Sequence, residues 1–427
     1  MKNSGCFSIR SALIGLLLAT GLSDCVLPPR EGATGSYDHA FIRYWPPPKG
    51  SKRLRVAVKD LIDIKGVVTT AGSHYVAQTS PPATADAECL RISRAKNVLF
   101  VGKTNLSEFA TAPSGVNDFF GTPTSPLHQK GNIIPGGSSS GSAVAVAEGL
   151  ADVAFGTDTA GSIRVPAACC GIVGLKTTFG LVPLQGVFPL EPTHLDTVGP
   201  MAKDVDHVVQ GMDLLQSGFL ARYRAAVAAK PLARKIRVGR LYLSGTDPKI
   251  DKAIDDALVR AHFEVVPLDP AFKEKWSQAE KDGNTLAAAG VWISDSKYFD
   301  KLIGVSTRTK AIIAFGLSFV TSYQNAVQRQ AAWQEALRQT FNQVDFIALP
   351  TLQKLPPTIP TLPLFEAQIL NLQNTVAVNF AGNPALAIPV PLKERIFPET
   401  SLQLVGPRLS EADLLNAGRL IEASSRI

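Results

Sequence analysis

Two hydrophobic periods divide the chain. RVAVKDLIDIKG, residues 55–66, alternates apolar and polar positions as a strand does, and it carries Lys59. VLFVGKTN (98–105) and DVAFGTDT (152–159) are short apolar runs that leave into loops, the pattern of buried strands. Between them, TADAECLRISRAKN (84–97) has helical periodicity, and AVAVAEGLA (143–151) predicts a helix of small residues. Strand patterns return in DFIALPT (345–351), NPALAIPVP (383–391) and TSLQLVGP (400–407), and EADLLNAGRLIEAS (411–424) predicts a closing helix. The stretch 205–345 is less diagnostic; its clearest element is QNAVQRQAAWQEALRQTFNQ (324–343), apolar at helical spacing. Strands alternating with helices predict an α/β fold.

Composition narrows the class. With 45% hydrophobic and 19% charged residues in 427, the chain has material for a large core and fewer charges than the usual quarter. That excludes a disordered or fibrous protein. The net charge of +7 comes from 43 Lys and Arg against 36 Asp and Glu. RLR (53–55) and KERI (393–396) are the densest basic groups, and no basic stripe carries interleaved aromatics, so no nucleic-acid partner is expected.

The N-terminus changes the picture once. Lys2 and Arg10 precede ALIGLLLATGL (12–22), an apolar run of 11 residues. A bilayer span needs about 20 residues, so the run predicts the core of a signal peptide over residues 1–25 and an exported, periplasmic or membrane-anchored protein, the alternative being a frayed tail or first helix on a cytoplasmic one. Cys25 is a candidate for lipidation, although Asp24 before it fits that cleavage poorly. PP (28–29) and PPP (46–48) mark residues 26–50 as a link, leaving 51–427 as a single domain. Beyond the leader stand Cys89, Cys169 and Cys170, with no CxxC pair; neither a metal site nor a disulfide framework is expected.

PGGSSSGS (135–142) and GTDTAGSIR (156–164) are the stretches with least side-chain bulk. A flexible linker is the plainest reading of the first, but apolar segments adjoin it on both sides. A phosphate loop lacks its lysine, because Ser142 and Ala143 stand where it belongs. GSSSG (137–141) matches the nucleophile elbow with Ser139 central, yet Pro135 and Gly136 precede it in place of an apolar strand. S-x-x-K occurs at Ser93–Lys96 and Ser294–Lys297 without the companion motifs of the β-lactamase type.

Taken together, residues 135–179, PGGSSSGSAVAVAEGLADVAFGTDTAGSIRVPAACCGIVGLKTTFG, resemble the signature of the amidase signature enzymes from end to end. AVKDLIDIKGVVTTAGS (57–73) resembles that family's lysine motif. KTNLSEFA (103–110), LDTVGPMAKDV (195–205), ALPT (348–351), NFAGNPALAIPV (379–390) and LQLVGP (402–407) extend the likeness. It runs from about residue 50 to the C-terminus, weakest in the middle third, and SSSGSAVAVA is the variant of short members such as indoleacetamide hydrolases. The resemblance implies a central mixed sheet flanked by helices on both sides. It also implies a Ser–cis-Ser–Lys triad: Ser162 as nucleophile, Ser138 as the bridge and Lys59 as the base. The oxyanion hole would be the backbone N–H groups of Thr159, Ala160, Gly161 and Ser162, with Asp158 and Arg164 in support and no cofactor. Ala160 stands where the family usually has glycine, which strains the hole if that position needs a positive φ.

These roles make physical sense. An ordinary lysine, near pKa 10.4, is protonated at neutral pH and accepts no proton. Burial beside Val56 and Val58 favours its neutral form. The small Ala160 and Gly161 let a substrate carbonyl lie against bare backbone donors. The expected activity is hydrolysis of a small carboxamide to its acid and ammonia, with aliphatic, aryl, indoleacetamide and urea-type substrates all compatible. Two alternatives stand beside it: the A subunit of a tRNA-dependent amidotransferase, which takes ammonia from glutamine, and a non-catalytic binding protein on the same fold. In the middle region Trp292, Tyr298, Phe315, Phe319 and Tyr323 are candidate pocket walls, each equally expected as core.

Overall fold

The computed structural model describes residues 39–127, 132–229, 236–360, 371–394 and 396–425. The expected leader, Cys25 and the first part of the expected link lie outside these residues. The strands are β1 Phe41–Tyr44, β2 Arg55–Lys59, β3 Leu99–Thr104, β4 Val153–Asp158, β5 Val173–Lys176 and β6 Thr197–Ala202, followed by β7 Arg237–Arg240, β8 Glu264–Val266, β9 Phe346–Pro350, β10 Ala385–Pro391 and β11 Glu399–Val405. Among the described residues they form one eleven-stranded sheet in the order β1-β3-β2-β4-β6-β5-β10-β11-β9-β7-β8. The sheet is mixed: β2 runs parallel to β3 and β4, whereas β4, β5 and β10 pair antiparallel with β6, β6 and β11. β1 falls within the expected link. It pairs with β3, so the folded unit begins before residue 51.

The alternation read along the sequence sorts side chains by size as well as polarity. Val56 and Val58 of β2, Val153 and Phe155 of β4, and Leu386, Ile388 and Val390 of β10 join one core cluster. Ala57, Ala154 and Ala387, the residues between them, join another, because neighbours along a strand face opposite sides. Helices Val205–Leu215, Pro248–Arg260 and Glu411–Ser425 cover the large-residue face. Helices Ser140–Ala147 and Arg164–Cys170 cover the alanine face, where small residues let backbones approach closely. A Cβ placed at Gly156 of β4 would stand 2.8 Å from Ser139 Oγ. Lys59 lies two residues beyond Ala57 and so points to this same face. A third cluster joins helices Pro270–Asp295, Tyr323–Thr340 and Val376–Ala381 around Trp276, Trp333 and Phe380.

Candidate active site

The C-terminal ends of β2 and β4 bring the two motifs together. Lys59 Nζ donates to Ser138 Oγ at 2.7 Å and to Thr157 Oγ1 at 2.8 Å, fully buried. Burial pushes the Lys59 ammonium down to about 7, although the Asp158 and Asp196 charges act to raise it. A second buried lysine, Lys176, is also pushed down to about 7 by burial, but its Nζ donates to the carbonyls of Thr177 and Asn383. Of the two, Lys59 reaches a serine.

The peptide Gly137–Ser138 is cis. The glycines ahead of it serve close approach: a Cβ at Gly137 would stand 2.6 Å from Ala112 O, and one at Gly136 2.7 Å from Cys169 Sγ. All of 135–142 is buried, which rules out a flexible linker. Ser139 is buried and its Oγ donates to Thr157 O at 3.3 Å, so the elbow reading fails on contact as well as context. The Ser139 N–H also donates to Ser162 O at 3.3 Å. That bond sets Ser162, which is partly open to solvent, against the backbone just after Ser138.

Residues 158–164 wrap around one carboxylate. Asp158 accepts from the N–H groups of Ile163 (3.1 Å) and Arg164 (3.4 Å) and from Arg164 Nη2 (2.9 Å). Burial acts to raise the Asp158 carboxyl, but Arg164, Lys176 and the Asn379 amide hold it well below the usual carboxylate range. Among the described residues, none of the backbone N–H groups of Thr159, Ala160, Gly161 and Ser162 donates to another residue, whereas those of Ile163, Arg164 and Val165 all do. Four free donors in a row suit an anionic oxygen. Gly161 has φ of 141°, while Ala160 is not among the non-glycine residues at positive φ, so alanine there brings no backbone strain.

Several partners escaped the sequence reading. Thr159 Oγ1 donates to Asp196 at 2.6 Å, and Thr375 Oγ1 to Ala160 O at 2.6 Å. Arg164 Nη1 donates to Gln403 Oε1 at 2.6 Å and to Thr375 O at 3.0 Å, and Nη2 donates to Asn379. Burial raises the Asp196 carboxyl, against the bonds from Thr159, Leu190 and Glu191. Asp196, Asn379 and Gln403 sit inside three of the motifs that extend the family likeness, which is the signal that pointed towards them. A cavity of about 10 Å³ adjoins Thr157, Thr159, Asp196 and Thr197, with Leu61, Val187, Phe188 and Leu190 on its apolar side. Tyr298 stacks on Phe109 beside Phe188, Tyr323 binds Glu191, and Phe315 is exposed. Among the described residues no group of three or more His, Cys, Asp or Glu is placed to hold a metal. Burial pushes the Cys169 and Cys170 thiols up.

Arg164→Met leaves the Asp158 carboxylate buried without its countercharge. A loss of about 3–5 kcal/mol is expected in urea unfolding, with part of it recovered when Asp158→Asn is added.

The amidase family model matches residues 54–415. The chain belongs to that family, the amidase signature enzymes, and is an amide hydrolase by class. It is 31% identical over 407 residues to the glutamyl-tRNA(Gln) amidotransferase A chain of Halobacterium salinarum, covering 86% of this chain and 94% of the relative. To a 2-amino-5-chloromuconic acid deaminase of Comamonas testosteroni it is 33% identical over 389 residues, covering 87% and 81%. A solved chain of a vestigial complex tied to the origins of an s-triazine catabolic enzyme superposes with a TM-score of 0.76 at 26% identity, covering 87% and 84%.

Proposed function

We propose that this chain hydrolyses a small carboxamide to its carboxylic acid and ammonia through an acyl-enzyme on Ser162. The observation that carries the reading is the buried contact of Lys59 Nζ with Ser138 Oγ, beside a loop whose four N–H groups have no partner among the described residues. Neutral Lys59 takes the proton of Ser138 as Ser138 takes that of Ser162, and Ser162 Oγ bonds to the amide carbon. The N–H groups of residues 159–162 hold the oxyanion. Collapse breaks the C–N bond while the proton passes back to the leaving nitrogen, which departs as ammonia. Water, deprotonated through the same relay, then displaces Ser162 and releases the acid.

A second reading is the A subunit of a tRNA-dependent amidotransferase, with glutamine as the amide. The sequence relatives that bear that name favour it. The expected leader favours the first reading instead, since an exported chain meets no tRNA. Ammonia release by the isolated chain from aliphatic and aryl amides, with glutamine a poor substrate, supports the first reading. Ammonia from glutamine alone, and only with a co-purifying second protein, replaces it with the other.

The proton relay carries its own pH dependence. Lys59 must be neutral to accept a proton, so kcat/KM is expected to rise tenfold per pH unit below about 7 and level off above it. Initial rates from pH 5 to 9 check this; a rate flat down to pH 5 removes Lys59 as the base.

A further inference from the structure

We propose that Asp196 is a positioning residue of this centre: it fixes Thr159 at the start of the N–H loop, and its charge faces Lys59 and sets the pH at which that lysine loses its proton. The proposal rests on Lys59 acting as the base.

Two bonds build the first half. Thr159 Oγ1 donates to Asp196 Oδ1 at 2.6 Å, and Asp196 Oδ2 accepts from the N–H groups of Leu190 (2.9 Å) and Glu191 (3.0 Å). The carboxylate thus locks the 190–196 loop and the 159–162 loop to one another, just where β6 begins. Thr197 Oγ1 adds a bond to Asp158 O at 3.0 Å. With Ala160 O held by Thr375, the N–H loop is pinned at two successive residues.

The second half follows from the shared cavity. Asp196 lines the same cavity of about 10 Å³ as Thr157, whose Oγ1 accepts from Lys59 Nζ. Asp196 and Lys59 are both buried, so little solvent screens the carboxylate from the ammonium. Of the other charged groups near Lys59, Asp60 is ion-paired to the buried Lys103 of β3 at 2.9 Å. Asp158 also faces Lys59, but Arg164 is ion-paired to it at 2.9 Å and Lys176 lies nearby. Glu191, with Tyr323 and His194 against it, lies on the loop beside Asp196. Asp295, at the end of helix Pro270–Asp295, feels the Asp196 charge, and burial keeps its carboxyl well above the usual range. An ionised Asp196 favours protonated Lys59; removing that charge favours neutral Lys59.

Asp196→Asn separates charge from shape. The amide oxygen can accept from Leu190 and Glu191, and its NH2 can donate to Thr159 Oγ1, reversing that bond. The expected result is an acid limb of kcat/KM displaced by about one unit to lower pH relative to wild type. Asp196→Glu keeps the charge, so its limb is expected to stay with wild type while kcat falls. Thr159→Val, a near-isosteric change, removes the bond alone: kcat is expected to fall about tenfold with the limb unmoved, the size of one hydrogen bond to a charged group. An unmoved limb in Asp196→Asn, or an equal displacement in Asp196→Glu, overturns the role of the charge. Wild-type kcat in Thr159→Val overturns the positioning, and this variant decides if the Asp196 variants do not fold. A wild-type profile with no acid limb near 7 instead sinks the reading of Lys59, a failure distinct from either.

Discussion

Ser162→Ala is expected to lower turnover by at least about a thousandfold and to abolish labelling by a fluorophosphonate probe. Peptide mass spectrometry of the wild-type adduct should place it on Ser162. The side chain is partly open to solvent and closes no ion pair, so the variant should unfold at the wild-type temperature. Lys59→Ala should weaken the labelling without moving it, because the nucleophile remains and the proton acceptor is gone. Labelling on Ser139 contradicts the assignment: that residue is buried and its hydroxyl is committed to Thr157 O. Unchanged behaviour of Ser162→Ala in every assay returns the chain to a binding protein on this fold.

Six of the eleven strands were legible because a run of apolar positions is a local property. Val56, Ala57 and Val58 need only a sheet with two covered faces, and β2, β3, β4, β9, β10 and β11 all follow that rule. The two edges and the middle of the sheet, β6 and β5, were not. β8 is three residues with two exposed, and β1 sits among prolines whose turn chemistry masks it. β5 holds Gly174 and the buried Lys176, neither of which reads as strand. In the site, spacing alone could not join Lys59 to Ser138 across 79 residues; the resemblance could. Asp196 stands in a motif of the resemblance, but its bonds to Thr159, Leu190 and Glu191 appear only when two loops meet. Ala160 shows the reverse case, a departure from the family pattern whose cost depended on one dihedral angle.

That angle separates two substitutions one residue apart. Gly161→Ala is expected to lower kcat by about a hundredfold or more, the scale of losing one donor to a developing oxyanion. At φ of 141° an L side chain is strained whatever the space around it. Here there is no space either. The added Cβ would stand 2.6 Å from Thr375 Oγ1 and 3.0 Å from Val165 Cγ2. Thr375 cannot retreat freely, because its Oγ1 holds Ala160 O at 2.6 Å, so relief at one residue displaces the donor of the next. Thr375→Ala removes the hydroxyl but not the backbone strain, and the double variant should remain impaired. Ala160→Gly, by contrast, changes a residue at ordinary φ and should keep kcat within a few-fold of wild type. Steady-state rates of the four proteins decide the matter. A Gly161→Ala enzyme as fast as wild type would mean that the oxygen is held somewhere other than against residues 159–162.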